Sequence, residues 1–188
     1  MSQKILKPLV LLLLSYCFLA SAYSVAAAEN NLEQRLIVLE DKEAIRTLLL
    51  NYGRYVDARD WDNFVTLFAT DGGTWNGGMG IAKGHSEIKN MMVNSIGTGN
   101  NIGKNGSGMS NLHLYSNEVI EVTGNTATAL SKWVFMMTAE SGGPDPVFIG
   151  HYVDALIKVN GVWKFQERVV HGDITRPTSL NGLNNSTE

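Results

Sequence analysis

The sequence has 188 residues, with 15 basic and 18 acidic side chains, a formal charge of −3 and one cysteine. This length suits one domain with a sizeable core and falls short of two, and the acidic balance argues against a nucleic-acid partner. Because a single cysteine cannot form an intramolecular disulfide, we expect packing alone to stabilise the fold.

The first segment has the pattern of a secretory signal peptide. Lys4 and Lys7 precede an apolar stretch over residues 9–22, and alanines at 26–28 provide a cleavage site. The stretch is shorter than the roughly 20 residues that span a bilayer; an uncleaved anchor and lipidation at Cys17 are the alternatives. We therefore expect residues 1–28 to be removed and the mature protein to be secreted or periplasmic, without stable membrane insertion. Its formal charge would be −5, from 13 basic and 18 acidic residues.

Three helices are predicted between residues 32 and 96. Apolar residues recur every three or four positions from Leu32 to Val56, which predicts a long helix with one buried stripe that includes Leu36 and Leu39. Asp60 can cap a short second helix, and Ser86 opens a third after two short strands around residues 74–75 and 80–83. The residues expected to face inward from the two shorter helices are Trp61, Phe64, Val65, Phe68, Ile88, Met91, Met92 and Ile96.

Four long strands follow a glycine- and asparagine-rich segment at residues 97–108, which is either a solvated linker or a lid over a pocket. The strands are predicted at 111–122, 126–138, 147–159 and 162–171, and the Asn160-Gly161 pair indicates a tight hairpin between the last two. Helices grouped first and an antiparallel meander grouped last indicate an α+β domain in which a curved sheet wraps the long helix. The polar residues 175–188 are predicted to be a disordered tail.

A series of short motifs runs through most of the mature chain. They are Tyr52-Gly-Arg-Tyr-Val-Asp57 with Arg59-Asp60-Trp61, Phe68-Ala-Thr-Asp71, Lys83-Gly84, Leu112-His113 with Ser116-Asn117, Gly150-His151-Tyr152, and Gly161-Val-Trp163-Lys with Glu167-Arg168. In this order the motifs resemble the SnoaL-like domain of the nuclear-transport-factor-2-like superfamily, a group with polyketide cyclases, scytalone dehydratase and bile-acid 7α-dehydratases among its members and relatives. The resemblance implies one cone-shaped α+β domain over residues 32–174, with a pocket for a small apolar molecule.

The resemblance also implies three residues for acid–base chemistry. In the related dehydratases a tyrosine and an aspartate near the end of the first helix, and a histidine on the first long strand, line the pocket; Tyr52, Asp57 and His113 match them. His113 could take a proton next to a carbonyl and return one to a leaving hydroxyl, Asp57 could orient it, and Tyr52 could polarise the carbonyl. The alternatives are a histidine satisfied within the core, an aspartate paired with Arg54 or Arg59, and a packed tyrosine.

Four further residues are predicted to bind substrate. Tyr55 is the alternative to Tyr52, and Asn117 either orients the substrate or marks a bulge. His151 alternates with Ile149 and Val153, so it could be a second pocket histidine or could pair with a neighbouring strand. Trp133 belongs to a lining that suits a flat ring system, whose candidates are Trp75, Trp133, Phe135, Met136, Met137 and Phe148.

These residues predict a lyase of the dehydratase type that needs no cofactor and no metal ion. The substrate would be a small apolar hydroxy-carbonyl compound such as a steroid, a polyketide or an aromatic acid. An isomerase or a cyclase in the same pocket is an alternative because those reactions share an enolate, and a non-catalytic binding module is another. A homo-oligomer, a dimer or a trimer, is expected. A purely structural dimerisation domain is a third possibility, because the outer face of such a sheet commonly pairs with itself.

Overall fold

The computed structural model describes the backbone of residues 6–99, 111–139 and 142–175, and the side chains of 31–99, 111–139 and 142–174. The first five residues of the predicted signal peptide, most of the predicted segment at 97–108 and the predicted tail from 176 onward lie outside the described residues. The chain divides into two compact units, Met1–Asp41 and Lys42–Glu188.

Three helices and six strands make up the described residues. The helices are α1 (Leu6–Ala58), α2 (Trp61–Val65) and α3 (Gly84–Ile96). The strands are β1 (Thr74–Gly77), β2 (Gly80–Lys83), β3 (Asn111–Thr123), β4 (Thr126–Thr138), β5 (Pro144–Val159) and β6 (Val162–Thr175). The bounds of β2 and β4 agree with the prediction, whereas α1 also includes the segment predicted as a signal peptide. None of the helices in the described part of the chain carries an apolar stretch of the length that a membrane crossing requires.

The apolar stripe of α1 is buried only over its later part. Leu32, Leu36 and Leu39 are 65%, 55% and 63% exposed, so the prediction of a buried stripe at Leu36 and Leu39 is wrong. These residues belong to the first unit, and the described part of that unit consists only of α1. It therefore contains no second helix or sheet that could cover an apolar helix face. In the second unit the stripe is buried from Ile45 to Val56.

The six strands form one curved, unclosed sheet in the order β2-β1-β6-β5-β4-β3. β1 and β6 run parallel, and all other neighbours are antiparallel, which confirms the predicted meander over β3 to β6. Asn160 and Gly161 close the β5–β6 hairpin with φ angles of 50° and 80°, the left-handed conformation that a type I′ turn requires. The α+β class, with an antiparallel sheet and a long N-terminal helix, is confirmed.

The core of the second unit lies between the helices and one face of the sheet, called here the inner face. Its side chains include His113, Trp133 and Tyr152, and the opposite, outer face carries His151 and Val153. All four predicted inward residues of the α2 region are buried, and α3 buries Ile88 and Met92. Burial of each large apolar side chain contributes on the order of 2 kcal/mol, so this packing holds α1, α2 and α3 against the sheet.

Candidate active site

A cavity of about 410 Å³ opens between the helices and the inner face of the sheet. Its wall is mostly aromatic and aliphatic, with residues from α1, α3 and five strands. Representative wall residues are Val56, Trp75, Met92, Trp133, Phe135 and Phe148. The polar groups on this wall include Tyr52 and His113, which were predicted from the sequence. A volume of this size holds a small multi-ring compound.

Asp57 and His113 are in direct contact at the cavity wall. One carboxylate oxygen of Asp57 lies 2.6 Å from His113 Nδ1, and the other accepts a hydrogen bond of 2.9 Å from the His113 backbone N–H. Both side chains are largely buried, at 12% and 14% exposure. Because a carboxylate only accepts, Nδ1 carries the proton of this hydrogen bond, and Nε2 of a neutral imidazole is then an acceptor. The predicted pair is therefore arranged as an oriented base.

The end of α1 brings Asp57 to this position. The helix ends at Ala58, Arg59 adopts a left-handed conformation with φ of 55°, and the Asp60 N–H returns to the Tyr55 carbonyl at 2.9 Å. Asp57 thus lies in the last turn, beside the start of β3. His113 is opposite Phe135 in the β3–β4 register, so its side chain is on the inner face.

Tyr52 lines the same cavity from one turn earlier on α1. Its hydroxyl oxygen accepts a hydrogen bond of 2.8 Å from Trp75 Nε1, which leaves the hydroxyl proton for a group in the cavity. Burial raises the pKa of Tyr52 above its ordinary value, more than the nearby Arg168 and the Trp75 hydrogen bond lower it. The phenol is therefore neutral at physiological pH and can act as a hydrogen-bond donor.

A buried ion pair lies behind this tyrosine. Arg168 donates to both carboxylate oxygens of Asp154, at 2.8 and 2.7 Å, and both side chains are completely buried. The guanidinium carbon is 4.0 Å from the centre of the Tyr52 ring and 4.2 Å from those of Tyr152 and Phe165. Burial by itself would lower the pKa of Arg168, but the Asp154 carboxylate and its hydrogen bonds raise this pKa by more than burial lowers it. The Arg168 side chain therefore stays positively charged. Neither charge was predicted from the sequence to have a role at the site.

The structure brings only one of the four predicted substrate-binding residues to the cavity. Trp133 lines it, whereas Tyr55, Asn117 and His151 are not in its wall. Tyr55 packs against the core, and Asn117 has a φ of 54° within the bulge that interrupts the β3–β4 register. His151 is on the outer face, where its Nδ1 contacts Asp173 at 2.8 Å and its ring stacks on His171 at 4.5 Å.

The predicted aromatic lining is correct at Trp75, Trp133, Phe135 and Phe148. Met136 and Met137 are not in the wall, because the β4–β5 register shifts between Phe135 and Met136 and the strict alternation is lost there. Tyr152 is a wall residue that was not predicted from the sequence. Its place in the Gly150-His151-Tyr152 motif, directly after the predicted His151, was the available signal.

No three of the described histidine, cysteine, aspartate and glutamate side chains form a group that could hold a metal ion.

The sequence profile of the SnoaL-like domain matches residues 38–169, which include α2, α3 and all but the end of the sheet. The chain belongs to the SnoaL-like domain family. This assignment confirms the resemblance drawn from the motifs. No curated protein matches the chain.

Solved structures share the fold of this SnoaL-like chain. A proposed scytalone dehydratase from Novosphingobium aromaticivorans is 25% identical, with a TM-score of 0.59 over 73% of this chain and 87% of its own. A Nostoc punctiforme protein of unknown function with a cystatin-like fold is also 25% identical, with a TM-score of 0.60 over 73% and 94%. An NTF2-like protein from N. aromaticivorans, at 24% identity and a TM-score of 0.62 over 75% and 87%, supports the fold alone.

Proposed function

We propose that this SnoaL-like protein is a cofactor-independent lyase of the dehydratase type, acting on a small, largely apolar hydroxy-carbonyl compound. The observation that carries the proposal is the Asp57–His113 pair at the wall of an apolar cavity. Similarity to a proposed scytalone dehydratase is consistent with it.

The first step is removal of a proton from the carbon next to the substrate carbonyl. His113 Nε2 accepts the proton, and the electron pair of the C–H bond forms an enolate. Asp57 stabilises the imidazolium through Nδ1 and keeps the ring oriented throughout. Tyr52, whose acceptor side is engaged by Trp75, donates its hydroxyl proton in a hydrogen bond to the enolate oxygen.

The second step expels the hydroxyl group on the adjacent carbon. The imidazolium returns its proton to that oxygen, the C–O bond breaks, and the enolate electrons form the new carbon–carbon double bond while the carbonyl is restored. Water leaves, and His113 is again neutral. An isomerase would instead return the proton to carbon, and a cyclase would let the enolate attack a second carbonyl, so the same residues serve all three reactions.

The cavity wall favours a neutral substrate. Among the described wall residues there is no lysine or arginine, and most of the surface comes from aromatic and aliphatic groups. A carboxylate placed there would lose its hydration without gaining a paired cation. Of the expected classes, hydroxylated steroids and polyketides therefore fit better than aromatic acids.

A turnover screen with matched variants tests the proposal. Hydroxylated ketosteroids, polyketides and aromatic acids are incubated with the wild type, His113→Ala and Asp57→Asn. Products are detected by mass spectrometry as compounds that have lost one water molecule. We expect about 100-fold or greater loss of turnover in both variants, with ligand-induced thermal shifts retained. His85→Ala, which removes an imidazole bonded to the Phe68 carbonyl outside the cavity, is the control. Thermal shifts without turnover in the wild type would favour the binding module instead.

We also propose that the protein is exported, with cleavage after Ala28. The basic start, the apolar stretch and the alanine-rich site support this. Amino-terminal sequencing of protein recovered from the periplasm of an expressing bacterium should begin at residue 29; full-length chain confined to the cytoplasm would contradict export.

A further inference from the structure

A pair of histidines lies on the outer face of the sheet, away from the cavity. His151 of β5 and His171 of β6 are directly opposite each other in the β5–β6 register. Their rings are nearly parallel, with centroids 4.5 Å apart and planes at 11°. The His151 side chain is 32% exposed and His171 is exposed, so solvent ions can reach both rings. Imidazole is the commonest side-chain ligand of metal ions, and here two of them lie together.

A bulge in β6 supplies a carboxylate partner for the pair. The β5–β6 register shifts between Ile149 and Gly150, and Asp173 is the extra residue on β6. A bulge re-aims the side chain it carries, and the Asp173 carboxylate oxygens lie 2.8 and 2.9 Å from His151 Nδ1. Because a carboxylate only accepts, Nδ1 carries the proton, and Nε2 of the neutral ring holds the lone pair. Asp173 thus selects the tautomer in which His151 Nε2 can bind a metal ion.

The stacking of the two rings also favours the neutral form. Two imidazolium rings 4.5 Å apart would repel each other, so protonation of one ring opposes protonation of the other. Lys132 acts in the same direction, since it is exposed and lies opposite His151 in the β4–β5 register. Neutral imidazole is the form that binds metal ions. Lys132 would also repel a bound cation, and the Asp173 carboxylate offsets this repulsion.

We propose that His151 and His171 bind one divalent transition-metal ion through one nitrogen of each ring, with water at the remaining positions. Nitrogen ligands about 2.0–2.1 Å from one ion are about 3–4 Å from each other, so the stacked rings need only tilt together. Asp173 orients His151 and is not a third ligand, because its carboxylate contacts Nδ1. Imidazole ligands suit copper(II), nickel(II) and zinc(II), and the general order of affinity places copper(II) first.

The metal site is separate from the proposed lyase chemistry. Asp57 and His113 lie at the cavity on the inner face, whereas the histidine pair is on the outer face. An ion bound by His151 and His171 would join β5 to β6 in the folded chain only. Metal binding should therefore raise the Tm of the protein and leave turnover independent of the ion.

Titration of the full chain with copper(II), followed by isothermal titration calorimetry at neutral pH, tests the site. We expect one ion per chain with a dissociation constant of about 10 µM or tighter, weaker binding of nickel(II) and zinc(II), and none of magnesium. His151→Ala and His171→Ala should each weaken binding by at least about 30-fold, since one ligand remains. His85→Ala is the matched control: His85 Nε2 already contacts the Phe68 carbonyl at 3.0 Å, so this variant should bind as the wild type does.

Electron paramagnetic resonance of the copper(II) complex identifies the ligands. The wild type should show coupling to two imidazole nitrogens, a signature that both histidine variants lose. Asp173→Asn should keep this coupling and weaken binding about 10- to 100-fold, because the partner carboxylate of His151 is lost. Lys132→Ala should strengthen binding about threefold, because a nearby positive charge is removed.

Three outcomes would overturn the proposal. The first is a wild type without saturable copper(II) binding. The second is binding that survives His171→Ala, which would assign the ion to another part of the chain; His171→Gln replaces this variant if it does not fold. The third is an altered nitrogen coupling in Asp173→Asn, which would make the carboxylate a direct ligand rather than the partner of His151.

Discussion

Replacing Asp154 by asparagine tests the buried ion pair behind the cavity. Asparagine keeps the shape and one acceptor oxygen but removes the charge opposite Arg168, which is completely buried. The cation cannot escape by losing its proton, because the pKa of an arginine lies far above the range in which proteins fold. Breaking a buried pair from one side costs about 3–5 kcal/mol. The three aromatic rings around the guanidinium continue to stabilise it, so we expect the lower end, about 3 kcal/mol.

The assay is urea unfolding followed by tryptophan fluorescence, with thermal unfolding alongside. A loss of about 3 kcal/mol corresponds to a fall in Tm of about 6–12 °C for a domain of this size. Asp173→Asn is the control, since Asp173 is 44% exposed in its contact with His151 and its loss should cost less than about 1 kcal/mol. The double variant Asp154→Leu/Arg168→Met should be more stable than Asp154→Asn, because no unpaired charge remains. A loss under about 1 kcal/mol in Asp154→Asn would refute this reasoning.

Two smaller predictions concern local structure. Asp60 caps α2 by accepting from the side chain and backbone of Asn63, and these hydrogen bonds lower its pKa below the ordinary 3.8. The cap therefore stabilises the fold above about pH 4, and this stabilisation is lost as the pH falls through the lowered pKa. Asp60→Ala should reduce the free energy of unfolding by about 0.5–1 kcal/mol at pH 7 and by close to nothing at pH 2. Urea unfolding midpoints at the two pH values measure the difference. In Gly150→Ala the new Cβ would clash with the His171 carbonyl oxygen and would lie 2.6 Å from the Trp133 ring. We therefore expect the free energy of unfolding to fall by about 2–3 kcal/mol, or the variant not to fold. An unchanged urea midpoint would contradict this prediction.

The order of β3 to β6 and the bounds of β2 and β4 could be predicted because they depend on local signals. The parallel pairing of β1 with β6 was not predicted, because no local pattern relates these two strands. The Asn160-Gly161 turn fixes the β5–β6 hairpin, and the alternation in β4 predicts its bounds at Thr126 and Thr138. The contact between Asp57 and His113 could be anticipated only through the family resemblance, since 56 residues separate them and no periodicity relates a helix end to a strand start.

The faces of β5 were harder to assign, and the reason is physical. The inner face carries Asp154, whose charge is neutralised by Arg168 across the β5–β6 register. The outer face carries Ile149 and Val153, which would be predicted as core residues if β5 were considered alone. At positions 153 and 154 the polarity of β5 is therefore the reverse of the usual pattern. Tyr152, and not the predicted His151, lies in the cavity wall. The pairing of Asp154 with Arg168 joins two strands and spans 14 residues, so the sequence of β5 alone does not predict it.

The two hydrogen bonds of Asp57 have a consequence for aggregation. β3 is the last strand of an unclosed sheet, so no further strand among the described residues pairs with its outward N–H groups. Asp57 occupies one of them, the N–H of His113, with the same carboxylate that orients the imidazole. Loss of this carboxylate would therefore remove the group that orients the base and would also free the His113 N–H for intermolecular strand pairing. The chemistry and the solubility of the protein thus depend on one side chain.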